Sequence, residues 1–366
     1  MGGFSFWTQK FNQQDMSDFS LNPEGLLWLK IRSILRKELM TEFSGYADIV
    51  IYGKTPTEKF KNLFEELSTD ITISHTVIDS FIRQIYKKHT SATNISSLVS
   101  QLYKFQDYKW GGDQNNSLDK FLVSHYVKAI NDYESLLSKF EFEINPAVRH
   151  YVLNSWFNHW SSRLIEAVFM ENPNVLPAIG KVKSVDFFIK DIPFDLKVTF
   201  LPVGFQNMVR ERLGMEKPLT SLKKTARKLK IAFDCKSSED SLRYELTERL
   251  TDNGSAPAME TLETIMVQQK QIIDYAMDNS SELACWLYEN QGAMRFGAEN
   301  RIYLVLIDTA DIAASWKLKR NLDILRPGIN HFIDNFDATR LSDLRTEFSF
   351  GGRQYNAFAD VIFIVK

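Results

Sequence analysis

Residues 185 to 200, VDFFIKDIPFDLKVTF, constrain the fold more than any other stretch of the 366-residue chain. Two short apolar runs flank Lys190 and Asp191, and runs so spaced read as a β-hairpin. Side chains alternate faces along a strand, so Asp195, Lys197 and Thr199 share one face while Phe194, Leu196, Val198 and Phe200 share the other. A two-residue turn predicts Ile189 opposite Ile192, Phe187 opposite Phe194 and Asp186 directly opposite Asp195. A four-residue loop in the same register keeps these pairs, and a three-residue loop destroys them. Opposed carboxylates about 5 Å apart repel by roughly 3 kcal/mol at an effective dielectric of about 20. A divalent cation offsets that repulsion best, because magnesium and other hard ions take carboxylate oxygens, and Lys197 adds a second positive charge beside them. The alternative is a half-exposed hairpin whose polar face holds two acids and a lysine.

Just upstream, NPAVRHYVLNSWFNHWSSRLIEAVFM opens with Asn145 as a helix cap and Pro146 at the first helical position. Leu153, Trp156, Trp160, Leu164 and Ala167 form the expected apolar stripe. Ser155, His159, Ser162 and Glu166 fall at i, i+4, i+7 and i+11 on a polar one that ends in a carboxylate. Consecutive elements are usually spatial neighbours, so Glu166 is expected to reach the acids of the hairpin. His159 and Arg163 read as an ordinary hydrogen-bonded histidine and a surface ion-pair partner.

Glu166 on a helix, Asp186 on a strand and Asp195-Leu196-Lys197 on the next, in that order and at those spacings, resemble the PD-(D/E)XK nuclease superfamily. The resemblance covers roughly residues 146 to 200. Val185 stands where the name-giving proline would be, a position that varies widely in the superfamily. Carried over residue by residue, it makes Asp186 and Asp195 the metal-binding acids, Lys197 the lysine and Glu166 the helical acid that completes the metal shell. It implies a restriction-endonuclease-like core, a mixed central sheet flanked by helices in an α+β or α/β fold. The implied activity is a magnesium-dependent DNA endonuclease of the restriction or phage-defence kind, with manganese able to substitute. A repair or RNA-processing nuclease of the same fold, or an inactive nucleic-acid-binding relative, stays open.

The rest of the chain supplies context. NPEGLLWLKIRSILRKEL, TEKFKNLFEEL, HTVIDSFIRQIYKKH and SSLVSQLYKF carry apolar residues at helical spacing, and LDKFLVSHYVKAINDYESLLSKF reads as one more long helix after the glycine- and amide-rich break DYKWGGDQNNS. An all-helical domain is therefore expected over residues 1–145, for recognition or interaction, and the nuclease-like domain over 146–366. Net charge is only −2, so any nucleic-acid contact must come from a local patch. Residues 217 to 236 hold seven basic residues against one acid. As a helix this segment sets Leu222, Ala226, Leu229 and Phe233 on one stripe and Lys223, Arg227 and Lys230 on another, with Lys224 and Lys228 beside them. Such a face suits backbone phosphates, and a merely solvated face is its alternative. Gln271 and Tyr275 resemble the Gln-x-x-x-Tyr element of RecB-like members, or ordinary helix surface.

Cys235 and Cys285 are too few for a disulfide framework or a thiolate zinc site and read as ordinary reduced thiols. No apolar run reaches the roughly 18 residues a membrane helix needs, and the start lacks a basic-then-apolar leader, so a cytoplasmic address is expected. Double-stranded DNA is the expected partner, a membrane is not, and a homodimer stays open. Phosphate-loop, His-Glu-x-x-His, CxxC, nucleophile-elbow and dinucleotide-fingerprint signatures do not occur.

Overall fold

The computed structural model describes residues 2–13, 16–91, 94–106, 108, 118–180, 185–234, 238–290 and 300–366. Cys235 and most of the glycine- and amide-rich break lie outside them. The described chain is mixed α+β, with a six-stranded mixed sheet flanked by helices. The strands are β1 (Val175–Pro177), β2 (Phe187–Ile189), β3 (Ile192–Phe200), β4 (Arg301–Ile307), β5 (Arg345–Phe350) and β6 (Arg353–Val365), laid side by side as β1-β2-β3-β4-β6-β5. Neighbours β1, β2 and β3 are antiparallel, β4 runs parallel to β6, and β5 is antiparallel to β6. All seven residues of β4 are buried, as its unbroken RIYLVLI run requires of a strand covered on both faces.

The chain divides into two compact units, Met1–Val198 with Tyr288–Lys366, and Thr199–Leu287. This cut differs from a boundary near Asn145. Asn145 is no cap: it has helical dihedrals, and a π-helical turn, Phe140–Ile144, runs straight into the helix Asn145–Glu171. Nor do the N-terminal helices keep a core of their own. Leu27, Trp28 and Ile31 of the helix Pro23–Ser33 belong to one apolar cluster with Leu176 of β1 and with Val185 and Phe188 at the hairpin. The segment from Leu118 to Lys139 is likewise not one helix, being interrupted between Val127 and Tyr133.

The hairpin itself forms in the expected register, Ile189 facing Ile192 and Phe187 facing Phe194. Its two turn residues have φ of 45° for Lys190 and 70° for Asp191, the left-handed pair that a two-residue hairpin turn needs to match strand twist. Neither is glycine, so each costs about 1 kcal/mol or more, and side-chain anchors hold them there. Asp191 accepts from Lys30 Nζ at 2.9 Å, and Lys190 Nζ donates to the carbonyls of Phe336 at 2.6 Å and Asp334 at 3.3 Å. The turn is thus pinned to an N-terminal helix on one side and to the end of the helix Leu322–Asn335 on the other.

The second unit is helical. Its core gathers Leu222 and Ala226 with Leu242, Leu246, Leu250 and Ala258 from the two helices that follow, Glu239–Asn253 and Ala256–Asp278.

Candidate functional site

Asp186 sits one residue before β2, where the ladder slips. Its amide donates to the carbonyl of Phe194 at 2.9 Å, so Asp186 and Phe187 both meet Phe194 in a bulge, and its own carbonyl accepts from Ala178 at 2.9 Å. Asp186 therefore does not stand squarely opposite Asp195 as the simple register predicts. The bulge turns its side chain across β3 instead, where Oδ2 accepts from the amide of Leu196 at 2.8 Å. The two acids still act on each other. Burial first and the Asp195 charge second push the Asp186 carboxyl up to about 7, Glu166 adds to the rise, and the Leu196 amide and Arg301 oppose it. Asp186, Asp195 and Glu166 thus share one electrostatic neighbourhood.

Asp195 leans on a partner that no sequence spacing indicates. Arg301, the first residue of β4, donates from Nε to Asp195 Oδ2 at 2.7 Å, with its side chain only 5% exposed. The guanidinium lies over the rings of Tyr288 and Tyr303, at 5.4 and 5.9 Å. Asn300, also buried, joins the same corner: its carbonyl accepts from the Asp195 amide at 2.8 Å, and its side chain bonds Ser20, the Pro193 carbonyl and the Phe358 amide. A basic residue placed at the entry to a fully apolar strand was the available signal for Arg301. Its partner, 106 residues away, was not legible.

The helix Asn145–Glu171 presents a different face from the one its hydrophobicity suggests. Asn154, Phe157, Ser161, Leu164, Ile165 and Val168 are buried, whereas Leu153 and Trp156 are exposed and Trp160 and Ala167 half-buried. Asn154 and Ser161 can be buried because each returns a hydrogen bond to its own helix, to the carbonyls of His150 at 2.7 Å and Asn158 at 3.3 Å. Phe157 sets the phase by packing into an aromatic group with Phe105, Tyr108 and Trp316. Glu166 is half-buried and takes a hydrogen bond from Arg163 at 3.1 Å, one turn back on the same helix. It is not drawn into a ligand shell with the aspartates. His159 is exposed beside Trp160.

Lys197 is half-buried on β3, two residues past Asp195. Lys319, on the 3-10 helix Ile312–Arg320, comes into its field: burial and then the Lys197 charge bring the Lys319 ammonium down to about 8. Nothing in the run WKLKR distinguishes Lys319 from the exposed Lys317.

Among the described residues, no group of three or more His, Cys, Asp or Glu side chains could hold a metal ion. The two aspartates nonetheless fit a hard divalent cation in kind. Each has one oxygen, Oδ2, engaged by a protein donor, neither of those bonds takes Oδ1, and the field at Asp186 favours added positive charge.

In the second unit the basic helix spans Pro218–Lys228 and is shorter than expected. Lys230 lies beyond its end in a left-handed conformation, φ 58°. Its amide bonds the Arg227 carbonyl and that of Ile231 bonds Ala226, the Schellman arrangement that closes a helix. Leu222 and Ala226 are buried and Leu229 and Phe233 half-buried, as the apolar stripe predicts. Of the basic residues, Arg227, Lys228 and Lys230 are exposed and Lys223 is half-buried. Lys224 is exposed too but paired with Glu216. Tyr275 is occupied locally, donating to Glu282 at 2.7 Å, which Arg212 also clasps through two bonds, and Gln271 is exposed.

No protein-family model, curated protein or solved structure matches the chain. Among the described residues no helix is long and apolar enough to cross a membrane.

Proposed function

We propose that the chain is a metal-dependent nuclease of PD-(D/E)XK type that hydrolyses phosphodiester bonds, with DNA as the first substrate to test and restriction or phage defence as the setting that the resemblance favours. One observation carries the reading: Asp186, set in a bulge opposite Phe194 with its Oδ2 on the amide of Leu196, between Asp195 and Lys197, is held with its charge heavily disfavoured by burial and by two other acids. A fold that concentrates like charge in this way is stabilised when a cation arrives.

Asp186 and Asp195 would hold that cation, magnesium or manganese, through their remaining oxygens. Water and substrate would fill the rest of a shell that magnesium commonly leaves to them. The metal, when bound, supplies Lewis acidity toward the phosphate and toward a water. Arg301 fixes the Asp195 carboxylate, and the Leu196 amide fixes that of Asp186. Lys197, on the face Asp195 occupies, orients the attacking water and steadies charge building on phosphate oxygens. Glu166 acts at longer range or through water, because its carboxylate is turned to Arg163. On the second unit, Lys223, Arg227, Lys228 and Lys230 are the candidate backbone contacts, and Lys224 the weaker one because Glu216 already takes its charge.

The decisive experiment incubates the protein with supercoiled plasmid, linear duplex, single-stranded DNA and RNA, each with magnesium, manganese or EDTA. Metal-dependent cleavage is expected, and Asp195→Ala and Lys197→Ala should each reduce it at least about 100-fold, the usual scale for losing a metal ligand or charge-stabilising group. Cleavage at the wild-type rate in either variant removes these residues from the site. The second reading, a nucleic-acid binder without the reaction, draws on the Arg301–Asp195 ion pair, which already neutralises one of the two ligands. Tight binding with no cleavage under any metal selects it.

A further inference from the structure

We infer that the exposed segment from Asp48 to Lys54, sequence DIVIYGK, is a self-pairing edge to which a second copy of this chain adds antiparallel, strand against strand. The inference stands apart from the nuclease reading and concerns the first unit alone.

The segment joins the helix Lys37–Ala47 to the helix Pro56–Leu67. Ile49 and Ile51 pack against the apolar cluster of the N-terminal helices, whereas Val50 and Tyr52 are 65% and 68% exposed, the alternation of an extended chain. Asp48, left-handed at φ 54°, opens the stretch, and Gly53 at φ 136° closes it, where a Cβ would meet the Lys59 amide nitrogen at 2.8 Å. Ile49 turns both backbone groups to its own helix: its amide donates to the Ser44 carbonyl, and its carbonyl accepts from the Ser44 hydroxyl. Along an extended chain the next residue's pair points the opposite way. Among the described residues, no hydrogen bond engages the amide or carbonyl of Val50 or the amide of Tyr52. The Tyr52 carbonyl accepts one, from Asn62 Nδ2 at 3.0 Å, and has a second lone pair to offer. β-Branched and aromatic side chains beside an open row of donors and acceptors make the kind of edge to which another strand adds.

What fits this edge best is its own sequence. Centred on Ile51, an antiparallel second copy sets Val50 opposite Tyr52 of the other chain, where the two exchange both backbone hydrogen bonds and a β-branched side chain packs on an aromatic one. The two-fold axis repeats the pair. The same register places Asp48 opposite Lys54 of the second copy, again twice, and both side chains are exposed. Sliding by two residues keeps the faces but sets Asp48 against Tyr52 or Lys54 against Val50, and sliding by one sets Val50 against Ile51, so charge and burial select one register. The groove along the segment, about 270 Å³, is walled by Asn62, Leu63, Glu65 and Glu66 of the helix Pro56–Leu67. Glu65 holds Lys61 at 3.7 Å and Glu66 adds a further negative charge, so the wall also suits an incoming lysine. Two such short segments fall below the roughly 1,200 Å² that a stable interface buries, so the dimer belongs to the weak, micromolar class.

The test follows the whole protein by sedimentation equilibrium from low to high micromolar concentration. The wild-type mass should rise from monomer toward dimer, and less steeply at high salt. Asp48→Lys and Lys54→Asp should each weaken association at least about tenfold, since like charges then face each other at both ends. An equimolar mixture of the two variants should regain it, because the ends of one then complement the ends of the other. Val50→Pro removes an amide that bonds nothing within one copy, and it should abolish pairing while the circular dichroism stays that of wild type. It keeps the test decisive should Asp48→Lys, at a left-handed position, fail to fold. A wild type that stays monomeric at the highest concentration overturns the proposal and leaves this edge to an extended segment of another protein. A dimer that all three variants form as well as wild type overturns it too, placing the contact on another face. Loss in both charge variants without recovery on mixing overturns the antiparallel register.

Discussion

Lys30 and Asp186 are both charged residues held inside the first unit, and their surroundings are opposite. Lys30, fully buried, donates to Asp79 at 2.9 Å and Asp191 at 2.9 Å and lies 3.2 Å from His75 Nδ1. His75 Nε2 sits 2.9 Å from the Pro23 carbonyl, so it carries the proton, and Nδ1 is left to accept from Lys30. Burial, and then the Lys30 charge, keep that imidazole below its usual pKa, in agreement with a neutral ring. Each positive group here meets an acceptor, and each acid meets the lysine. Around Asp186 the fold does the opposite, setting acid against acid. Opposite charges in contact fasten a helix to a hairpin turn; acids gathered in one electrostatic neighbourhood leave work for a ligand. Burial of a charge alone does not separate structural from functional groups, but the sign of its neighbours does.

Breaking the Lys30 cluster should have the largest effect on stability. Lys30→Met leaves Asp79 part-buried without its cation, and losing one partner of a buried pair costs about 3 kcal/mol or more. Asp79 is already raised above the ordinary carboxylate range by burial, so part of the cost is recovered when it takes a proton. Urea denaturation should show the deficit, larger at pH 8 than at pH 5. Asp186→Asn should move stability the other way at pH 8. If both variants shift in the same direction at pH 8, the contrast between the two clusters fails.

How much of this contrast the sequence carries depends on the distance over which each part is decided. The hairpin was legible because alternation and an even turn length settle it within sixteen residues, Lys190 and Asp191 included. The bulge at Asp186 was not, since it answers to β1, and its carbonyl is claimed by Ala178. The face of the helix Asn145–Glu171 was misread because burial there is decided by aromatic partners such as Phe105 and Trp316, while the Asn154 amide and the Ser161 hydroxyl donate to carbonyls of their own helix. Arg301, Lys319 and the Lys30 cluster are long-range pairings between residues that look ordinary in place. The limits of the second unit were invisible because β3 runs on to Phe200 past the cut, with no glycine or proline at Val198.

A smaller effect sharpens the acid side of the comparison. The folded Asp186 carboxyl keeps its proton up to about pH 7, whereas the unfolded one loses it near its ordinary pKa of about 3.9. Between those values the folded chain binds more protons, so its stability falls as pH rises from about 4 to about 7 and stays low above that. Asp186→Asn keeps an oxygen to accept from the Leu196 amide and removes the charge. It should therefore stabilise the metal-free protein by about 2 kcal/mol at pH 8, after allowance for partial exposure, and by almost nothing near pH 4. Millimolar magnesium should raise the wild-type melting temperature and that of the variant less. A variant that gains equally at both pH values, or responds to magnesium as wild type does, shows that Asp186 carries no suppressed charge.

The smallest effect is expected at the turn, where the structural cluster meets the hairpin that bears the site. Asp191 contributes one of the two carboxylates on Lys30, yet its side chain is 64% exposed, and it holds a φ of 70° that favours glycine. Asp191→Gly relieves a conformational cost of about 1 kcal/mol and loses an ion pair worth about as much when half-solvated. Lys30 keeps Asp79, so the stability change should lie within about 1 kcal/mol of zero, and nuclease activity, where present, should hardly move. Asp191→Asn removes the charge but tolerates the left-handed backbone less well than glycine, so it should be the less stable of the two. Their difference isolates the backbone contribution. Should Asp191→Gly unfold the protein or abolish metal-dependent cleavage outright, the turn is anchored by Asp191 rather than by Lys190 and Asp79, and the Lys30 cluster and the acids around Asp186 are coupled through the hairpin instead of being independent.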